Sequence, residues 1–269
     1  MTSTILESEA IKGIIELTYE MWKKGWDESN GGNISYLLSD EEVSYLQTWF
    51  DRDEEVEINN LPTSLLGRYV AITAAGSQFR TLKENPEVNI GIIQITNIGY
   101  RIVWGFKNNR KATSELYMHL LSHEARLEVD SNQRVVVHNH ASYATAYSLI
   151  SEPDDKAYTL PLWQVLTESI VVFPDGVGVL PWQLPGTEEI GVETAKKLKD
   201  SRIVVWTFHG ILATGAGFQD CFGLIETVDK AAKIYLETLE IKKFNGLTED
   251  NLKEVCAHLG VTPNPKILL

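Results

Sequence analysis

The chain has little cysteine, a shortage of positive charge and no long apolar run. Its two cysteines, Cys221 and Cys256, lie far apart and match no redox or zinc-binding spacing. A disulfide scaffold and a cysteine-built metal site are therefore not expected. Lysine and arginine together number 24 against 37 aspartates and glutamates, a formal charge of −13. Nucleic-acid backbones and anionic membrane surfaces call for a basic face, so neither is an expected partner. No apolar stretch approaches the roughly 20 residues of a membrane helix. The start, Met1 to Ala10, carries Glu7 and Glu9 and lacks the basic and apolar regions of a signal peptide. A reducing cytoplasm is the expected location. With no internal repeat and no Pro/Gly/Ser-rich linker, the 269 residues are expected to form a single domain, 1–269, of mixed α/β character.

What is present is patterned. Residues 4–24 read as an amphipathic helix with a Thr4/Glu7 capping box, an inner face of Ile11, Ile14, Ile15, Thr18 and Trp22, and Gly25 as its stop. The turn Asn30-Gly31-Gly32-Asn33 follows and enters a strand, Ile34 to Leu38. Such a turn lets backbone N–H groups approach an anion, although a plain turn has the same composition. Residues 39–64 are acidic and irregular, and Trp49 and Phe50 mark them as an ordered surface excursion. Tyr69 to Thr73 is a strand leading into the tight turn Ala74-Ala75-Gly76-Ser77. Ile90 to Thr96 and Tyr100 to Phe106 make a hairpin, so the sheet is locally antiparallel.

A helix opens at Thr113-Ser114-Glu115, with Thr113 or Ser114 as the cap and Glu115 in the first turn, where a carboxylate is favoured. Another begins after His140, with Ser142 as its cap. A helix is capped by Pro185-Gly186-Thr187 and runs to about Lys199. A long helix spans about Gln219 to Lys243, and a last one runs from Thr248 to Gly260.

Chemistry concentrates in Arg134-Val135-Val136-Val137-His138-Asn139-His140. Valines favour a strand, and a strand sends residues i and i+2 to one face, so His138 and His140 point together. Two imidazoles do not make a metal site; the bland reading is a strand with two hydrogen-bonded histidines. His209, just past the strand Ile203 to Thr207 and beside the small Gly210, supplies a third. Three neutral imidazoles with an open coordination position suit a catalytic zinc ion, which would polarise a carbonyl while a nearby glutamate removes a proton. Glu115, His119 and His123 lie four residues apart on one helix face and form a rival site. Without an HExxH motif, their alternative is to satisfy polar partners beneath the first.

The combination Asn30-Gly31-Gly32-Asn33, Thr113-Ser114-Glu115, His138-Asn139-His140 and His209-Gly210 resembles the zinc-dependent class II aldolases of sugar 1-phosphates. That family also includes sugar-phosphate 4-epimerases and the adducin head domain. Gly25-Trp26-Asp27-Glu28, Val103-Trp104-Gly105, the stretch from Phe173 to Gly178 and the stretch from Pro185 to Gly191 are similar to its L-rhamnulose-1-phosphate branch, as is the acidic excursion at 39–64. The resemblance implies a three-layer αβα domain with a mostly antiparallel central sheet, assembled as a homotetramer with sites near subunit interfaces. It implies one Zn2+ per subunit on His138, His140 and His209. Glu115 would be the base acting on dihydroxyacetone phosphate, and a zinc ligand when substrate is absent. Glu168 would assist proton transfer at the aldehyde oxygen from a neighbouring subunit. Asn30, Gly31, Asn33, Gly76, Thr113 and Ser114 would hold the phosphate.

The implied reaction is reversible cleavage of L-rhamnulose 1-phosphate to dihydroxyacetone phosphate and L-lactaldehyde, in rhamnose catabolism. One position departs from the pattern: Ala75 stands where the related enzymes have serine, and Ser77 or a water would have to replace that hydroxyl. The alternatives are an aldolase for another ketose 1-phosphate, such as L-fuculose 1-phosphate, an epimerase, and a metal-free adducin-like interaction domain.

Overall fold

A computed structural model describes residues 4–241 and 245–268. In chain order the elements are α1 (Glu9–Lys24), β1 (Asn33–Leu37), α2 (Asp40–Leu46), β2 (Glu54–Glu57), β3 (Tyr69–Thr73), α3 (Phe79–Leu82), α4 (Pro86–Asn89), β4 (Ile90–Ile95), β5 (Gly99–Gly105), α5 (Leu116–Val129), β6 (Val135–Asn139), α6 (Ser142–Ser148), α7 (Asp155–Val165), α8 (Thr167–Val172), β7 (Gly178–Leu180), α9 (Glu188–Lys197), β8 (Ile203–Trp206), β9 (Gly210–Gly215), α10 (Phe218–Thr238) and α11 (Glu249–Leu259). The strands form one sheet in the order β2-β5-β4-β3-β1-β6-β9-β8-β7. Every neighbouring pair is antiparallel except β7 with β8, so the expected sheet character holds.

Strand alternation sorts side chains into two layers. Ile34, Tyr36, Val135, Val137, Ile203, Val205 and Ile211 pack under α1, α6, α7, α8, α10 and α11. Val136, Val204, Trp206 and Leu212 face Met118 and Ala125 of α5 and Ile190 of α9. Strands that are buried on both faces explain the near-continuous apolar runs. Among the described residues no helix is long and apolar enough to cross a membrane.

Several expectations change. Ile5–Glu7 forms a separate 3-10 turn, and Ser8, not Thr4, caps α1 by accepting from Ile11 N–H at 3.4 Å. The inner stripe of α1 is Ala10, Ile11, Ile14, Leu17, Thr18 and Met21; Trp22 is 39% exposed and packs beside Tyr19. The acidic excursion is more regular than its composition suggested. Ser39 and Glu42 form a capping box on α2, and β2 adds to the sheet edge against β5. Glu115 is not in the first turn of α5 but occupies its cap position, with φ −95°.

Ser142 does not cap α6. Asp229 of α10 does so from a distance, accepting from Tyr143 and Ala144 N–H at 2.8 and 2.9 Å. The expected end of the long helix at Lys243 lies outside the described residues, and α10 ends at Thr238. The Gly25 and Gly260 stops, at φ 75° and 67°, are as anticipated.

Candidate active site

Antiparallel pairing brings one end of several strands together. Asn33, first in β1, pairs with His138 near the end of β6; β3 runs antiparallel to β1, so its exit toward Gly76 reaches the same end of the sheet. His140 follows β6, and His209 sits in the turn joining β8 to β9, beside β6. There a cleft of about 310 Å³ is lined by Glu28 to Asn33, Ala74 to Gly76, Thr113 to Glu115, His138, His140 and His209. All the residues expected at the metal and phosphate positions, together with Glu115, thus share one cavity. Glu168 does not: it stands exposed in the first turn of α8.

One ligating atom from each of His138, His140 and His209 lies within 4.8 Å of the others. His138 Nδ1 is 3.0 Å from the carbonyl of Ile211 and donates to it, which leaves Nε2 with its lone pair. His140 Nδ1 likewise donates to Glu28 Oε1 at 2.6 Å. Holding the second nitrogen in this way fixes both ring angle and tautomer, the usual support for a metal-binding imidazole. His209 Nδ1 is buried and has no hydrogen-bond partner. Trp206 packs against both His138 and His209, with ring centroids 4.6 and 5.0 Å away. Burial, followed by the nearby His140, pushes His138 down to about 3; burial and then His138 take His209 down to about 4. Ring nitrogens of His138 and His140 left free by their partners, together with the orphaned nitrogen of His209, fit a divalent metal.

Glycines make the approach of these rings feasible. A Cβ on Gly210 would stand 2.4 Å from the Asn139 carbonyl oxygen and 3.0 Å from both His138 Cε1 and His140 Cδ2. A Cβ on Gly31 would meet His140 at 2.8 Å. The room anticipated beside His209 is therefore used by its two partners.

Glu115 Oε2 lies 3.8 Å from His138 Nε2 and accepts from Asn33 Nδ2 at 2.7 Å. The resemblance places Asn33 among the phosphate residues, but its side-chain amide is shared between Glu115 and His119. The rival helix-borne site does not assemble. His119 and His123 are fully buried on Ser35 Oγ, at 2.7 and 2.8 Å, as polar partners beneath the cleft. Ser77 cannot replace the hydroxyl absent at Ala75, because its own is buried and donates to the Asn89 carbonyl at 3.2 Å.

Sequence reading assigned no role to Glu28, the Ile211 carbonyl or Trp206. A carboxylate within the glycine turn was the visible signal for Glu28. The other two depend on strand register. Asp27 was also unassigned: its carboxyl oxygens are buried without partners, and burial, then Glu28, pushes its pKa up to about 8.

Comparison with known proteins identifies the family. The family model described as Class II Aldolase and Adducin N-terminal domain matches residues 12–236. A rhamnulose-1-phosphate aldolase of Mannheimia succiniciproducens is 41% identical over 98% of this chain and 99% of its own length. A second, from Enterococcus faecalis, is 43% identical over 86% of this chain and 84% of its own. The crystal structure of a sugar-phosphate aldolase from Thermotoga maritima superposes with a TM-score of 0.73 at 27% identity, covering 87% of this chain and 97% of that one. An L-fuculose 1-phosphate aldolase shares the fold, with a TM-score of 0.65 at 23% identity over 94% of this chain and 97% of that one. The chain belongs to the class II aldolase and adducin N-terminal domain family.

Proposed function

We propose that this protein is a zinc-dependent rhamnulose-1-phosphate aldolase. It would reversibly cleave L-rhamnulose 1-phosphate to dihydroxyacetone phosphate and L-lactaldehyde. The observation that carries the reading is one carboxylate, Glu115, placed 3.8 Å from the nearest of three clustered imidazoles in a cleft that also holds an Asn-Gly-Gly-Asn turn. The names of the relatives at 40–43% identity supply the substrate.

His138, His140 and His209 would hold one zinc ion per subunit. When bound, the zinc supplies Lewis-acid polarisation of the substrate ketone. In the synthetic direction Glu115 takes the proton from the hydroxymethyl carbon beside that ketone. The electron pair left on carbon forms the new bond to the aldehyde carbon of L-lactaldehyde. Glu168, supplied by a neighbouring subunit of a homotetramer, assists protonation of the aldehyde oxygen. Cleavage reverses each transfer.

Asn30, Gly31, Asn33, Gly76, Thr113 and Ser114 would surround the phosphate and meet it chiefly with side-chain donors, since the backbone N–H groups of Gly31, Thr113 and Glu115 already donate to the Glu28 carbonyl, the Thr73 carbonyl and the Thr113 hydroxyl. Among the described residues no lysine or arginine lines the cleft. Arg110 is the cation behind it. A Cβ on Gly76 would stand 3.0 Å from Arg110 Nη1, which donates to the Ala75 carbonyl. Arg110 forms no ion pair among the described residues, so its remaining donors and charge are free to serve the phosphate where the Ala75 position offers no hydroxyl.

A panel of ketose 1-phosphates, assayed for release of dihydroxyacetone phosphate, tests the reading. L-Rhamnulose 1-phosphate should be cleaved fastest; preference for L-fuculose 1-phosphate would move the assignment to that substrate, and no cleavage of any would refute it. Glu115→Ala should retain zinc and fold while turnover falls by about 10²–10⁴-fold. His209→Ala should lose zinc, measured by metal analysis; unchanged zinc content would refute the three-histidine site.

A further inference from the structure

Beneath the cleft, between β1 and α5, runs a continuous hydrogen-bonded chain: Glu115–Asn33–His119–Ser35–His123. Its distances are 2.7 Å from Asn33 Nδ2 to Glu115 Oε2, 2.5 Å from His119 Nε2 to Asn33 Oδ1, 2.7 Å from Ser35 Oγ to His119 Nδ1, and 2.8 Å from Ser35 Oγ to His123 Nε2. Ser35, His119 and His123 are completely buried, and Asn33 is 6% exposed. Each polar side chain below Glu115 therefore depends on its neighbours, not on water.

The direction of every bond follows from Glu115. An ionised carboxylate only accepts, so the Asn33 amide turns its NH₂ toward Glu115 and its oxygen toward His119. That oxygen must receive a proton, which places N–H on His119 Nε2 and leaves Nδ1 with a lone pair. Ser35 O–H then donates to Nδ1. Its oxygen is left to accept from His123 Nε2–H, and His123 Nδ1 becomes the bare end. That last atom is indeed buried without a hydrogen-bond partner. The assignment needs both rings neutral. Burial supplies this, driving His119 well below its ordinary value and His123 down to about 3.

We infer that His123, Ser35 and His119 are positioning residues that lock the Asn33 amide in the orientation donating to Glu115, and so hold the base against the cleft. The inference rests on the reading of Glu115 as the base. An amide does not relay protons at neutral pH, so the chain orients and is not a proton wire. Were the amide to turn over, two oxygens would face each other at 2.7 Å, and His119 would lose its acceptor. The interior at this point is polar because it sets one rotamer. Without the Ser35 hydroxyl, His119 Nδ1 and His123 Nε2 would be buried without that partner and the rotamer would be left unspecified.

The test isolates proton abstraction. The zinc-loaded protein is incubated in D₂O with dihydroxyacetone phosphate alone, and exchange at the hydroxymethyl carbon is followed by NMR. Absence of exchange in the unmodified protein would sink the aldolase reading itself. With exchange present, Ser35→Ala should slow it by about tenfold, with KM within about twofold and zinc content unchanged. Ser35→Thr, which keeps the hydroxyl, should restore most of it. Exchange at the unmodified rate in Ser35→Ala would overturn the inference, and so would a loss explained by lost zinc. ¹⁵N-histidine NMR of the unmodified protein provides a readout independent of any variant's folding: His119 and His123 should both appear as neutral Nε2–H tautomers. An Nδ1–H or doubly protonated His119 would refute the proposed directionality.

Discussion

At the scale of single residues, the site is set by absences as much as by side chains. Gly210 is where it is because the His138 and His140 rings and the Asn139 carbonyl occupy the volume of a methyl group. Real Cβ atoms do not approach a backbone oxygen to 2.4 Å, so Gly210→Ala must shift β6 or splay the rings. Such overpacking costs about 1–3 kcal/mol. The predicted outcome is zinc affinity reduced by at least about tenfold, measured by competition with a chelator, with the fold retained by circular dichroism. Arg110 makes the second residue-scale prediction. Removing a charge-assisted contact worth about 1.5 kcal/mol should raise KM for the phosphorylated substrate about tenfold in Arg110→Ala, with kcat nearly constant. The ratio of the two proteins' KM values should shrink with added salt, because Arg110 is partly exposed and screened. A KM that does not move would remove Arg110 from the phosphate site.

The histidine spacing around β6 was plain in the sequence, because a period of two is a local property of a strand. So were the caps at Thr187 and Thr248 and the stops at Gly25 and Gly260, each depending only on residues within one turn. Glu115 takes the cap position of α5 and not the first turn, and its carboxylate accepts from Asn33 at the start of β1, a partner far away in sequence.

At the scale of elements, long-range side chains decide what local propensity leaves open. α6 follows His140 directly, yet its free N–H groups are satisfied from α10 by Asp229, which also accepts from Trp26 Nε1 at 3.2 Å. No window around Ser142 contains that information.

α2 shows the same effect with charge. Glu42 closes the capping box with Ser39, accepts from Tyr36 Oη of β1 at 2.8 Å and pairs with Arg134 before β6 at 2.5 Å. Burial pushes its pKa up, but the Ser39 N–H, the Tyr36 and Ser39 hydroxyls and Arg134 outweigh burial and hold it below the ordinary value. The unfolded state therefore binds its proton more readily than the folded one. The contribution is fully present above the ordinary glutamate range and is lost as pH falls through the folded value. Glu42→Gln should thus destabilise the protein at pH 7 by about 1–3 kcal/mol in denaturant unfolding. The difference from the unmodified protein should close as pH drops below about 4. A gap that persists in acid would show that packing, not charge, sustains it.

At the scale of the whole molecule, one chain assembles the three imidazoles, Glu115 and the glycine turns at 30–33 and 74–77 but leaves Glu168 exposed and outside the cleft. If neighbouring subunits complete each other's sites, the deficits of Glu115→Ala and Glu168→Ala complement. Each variant alone should be nearly inactive. Mixed, unfolded and refolded together, they should regain a fraction of unmodified activity, since some sites then combine an intact Glu115 with an intact Glu168. Light scattering should report a tetramer. No recovery on mixing would remove the cross-subunit role of Glu168, and full activity in Glu168→Ala alone would place it outside the chemistry.

The sequence by itself determined the α/β class, most strands, several helix ends and the identity of the three histidines. Those features arise from short-range rules: side-chain alternation, capping and the steric freedom of glycine. Tertiary structure alone decided which nitrogen of His138 and His140 faces the cleft, because the Ile211 carbonyl and Glu28 take the other one. It also separated two sets of histidines that looked alike as a list. His138, His140 and His209 meet at one end of the central strands, while His119 and His123 close on Ser35 beneath them. Both sets have the spacing of metal ligands. Only the pairing of β1 with β6 and the packing of α5 against the sheet determine which lone pairs converge on a cleft and which are consumed within the core.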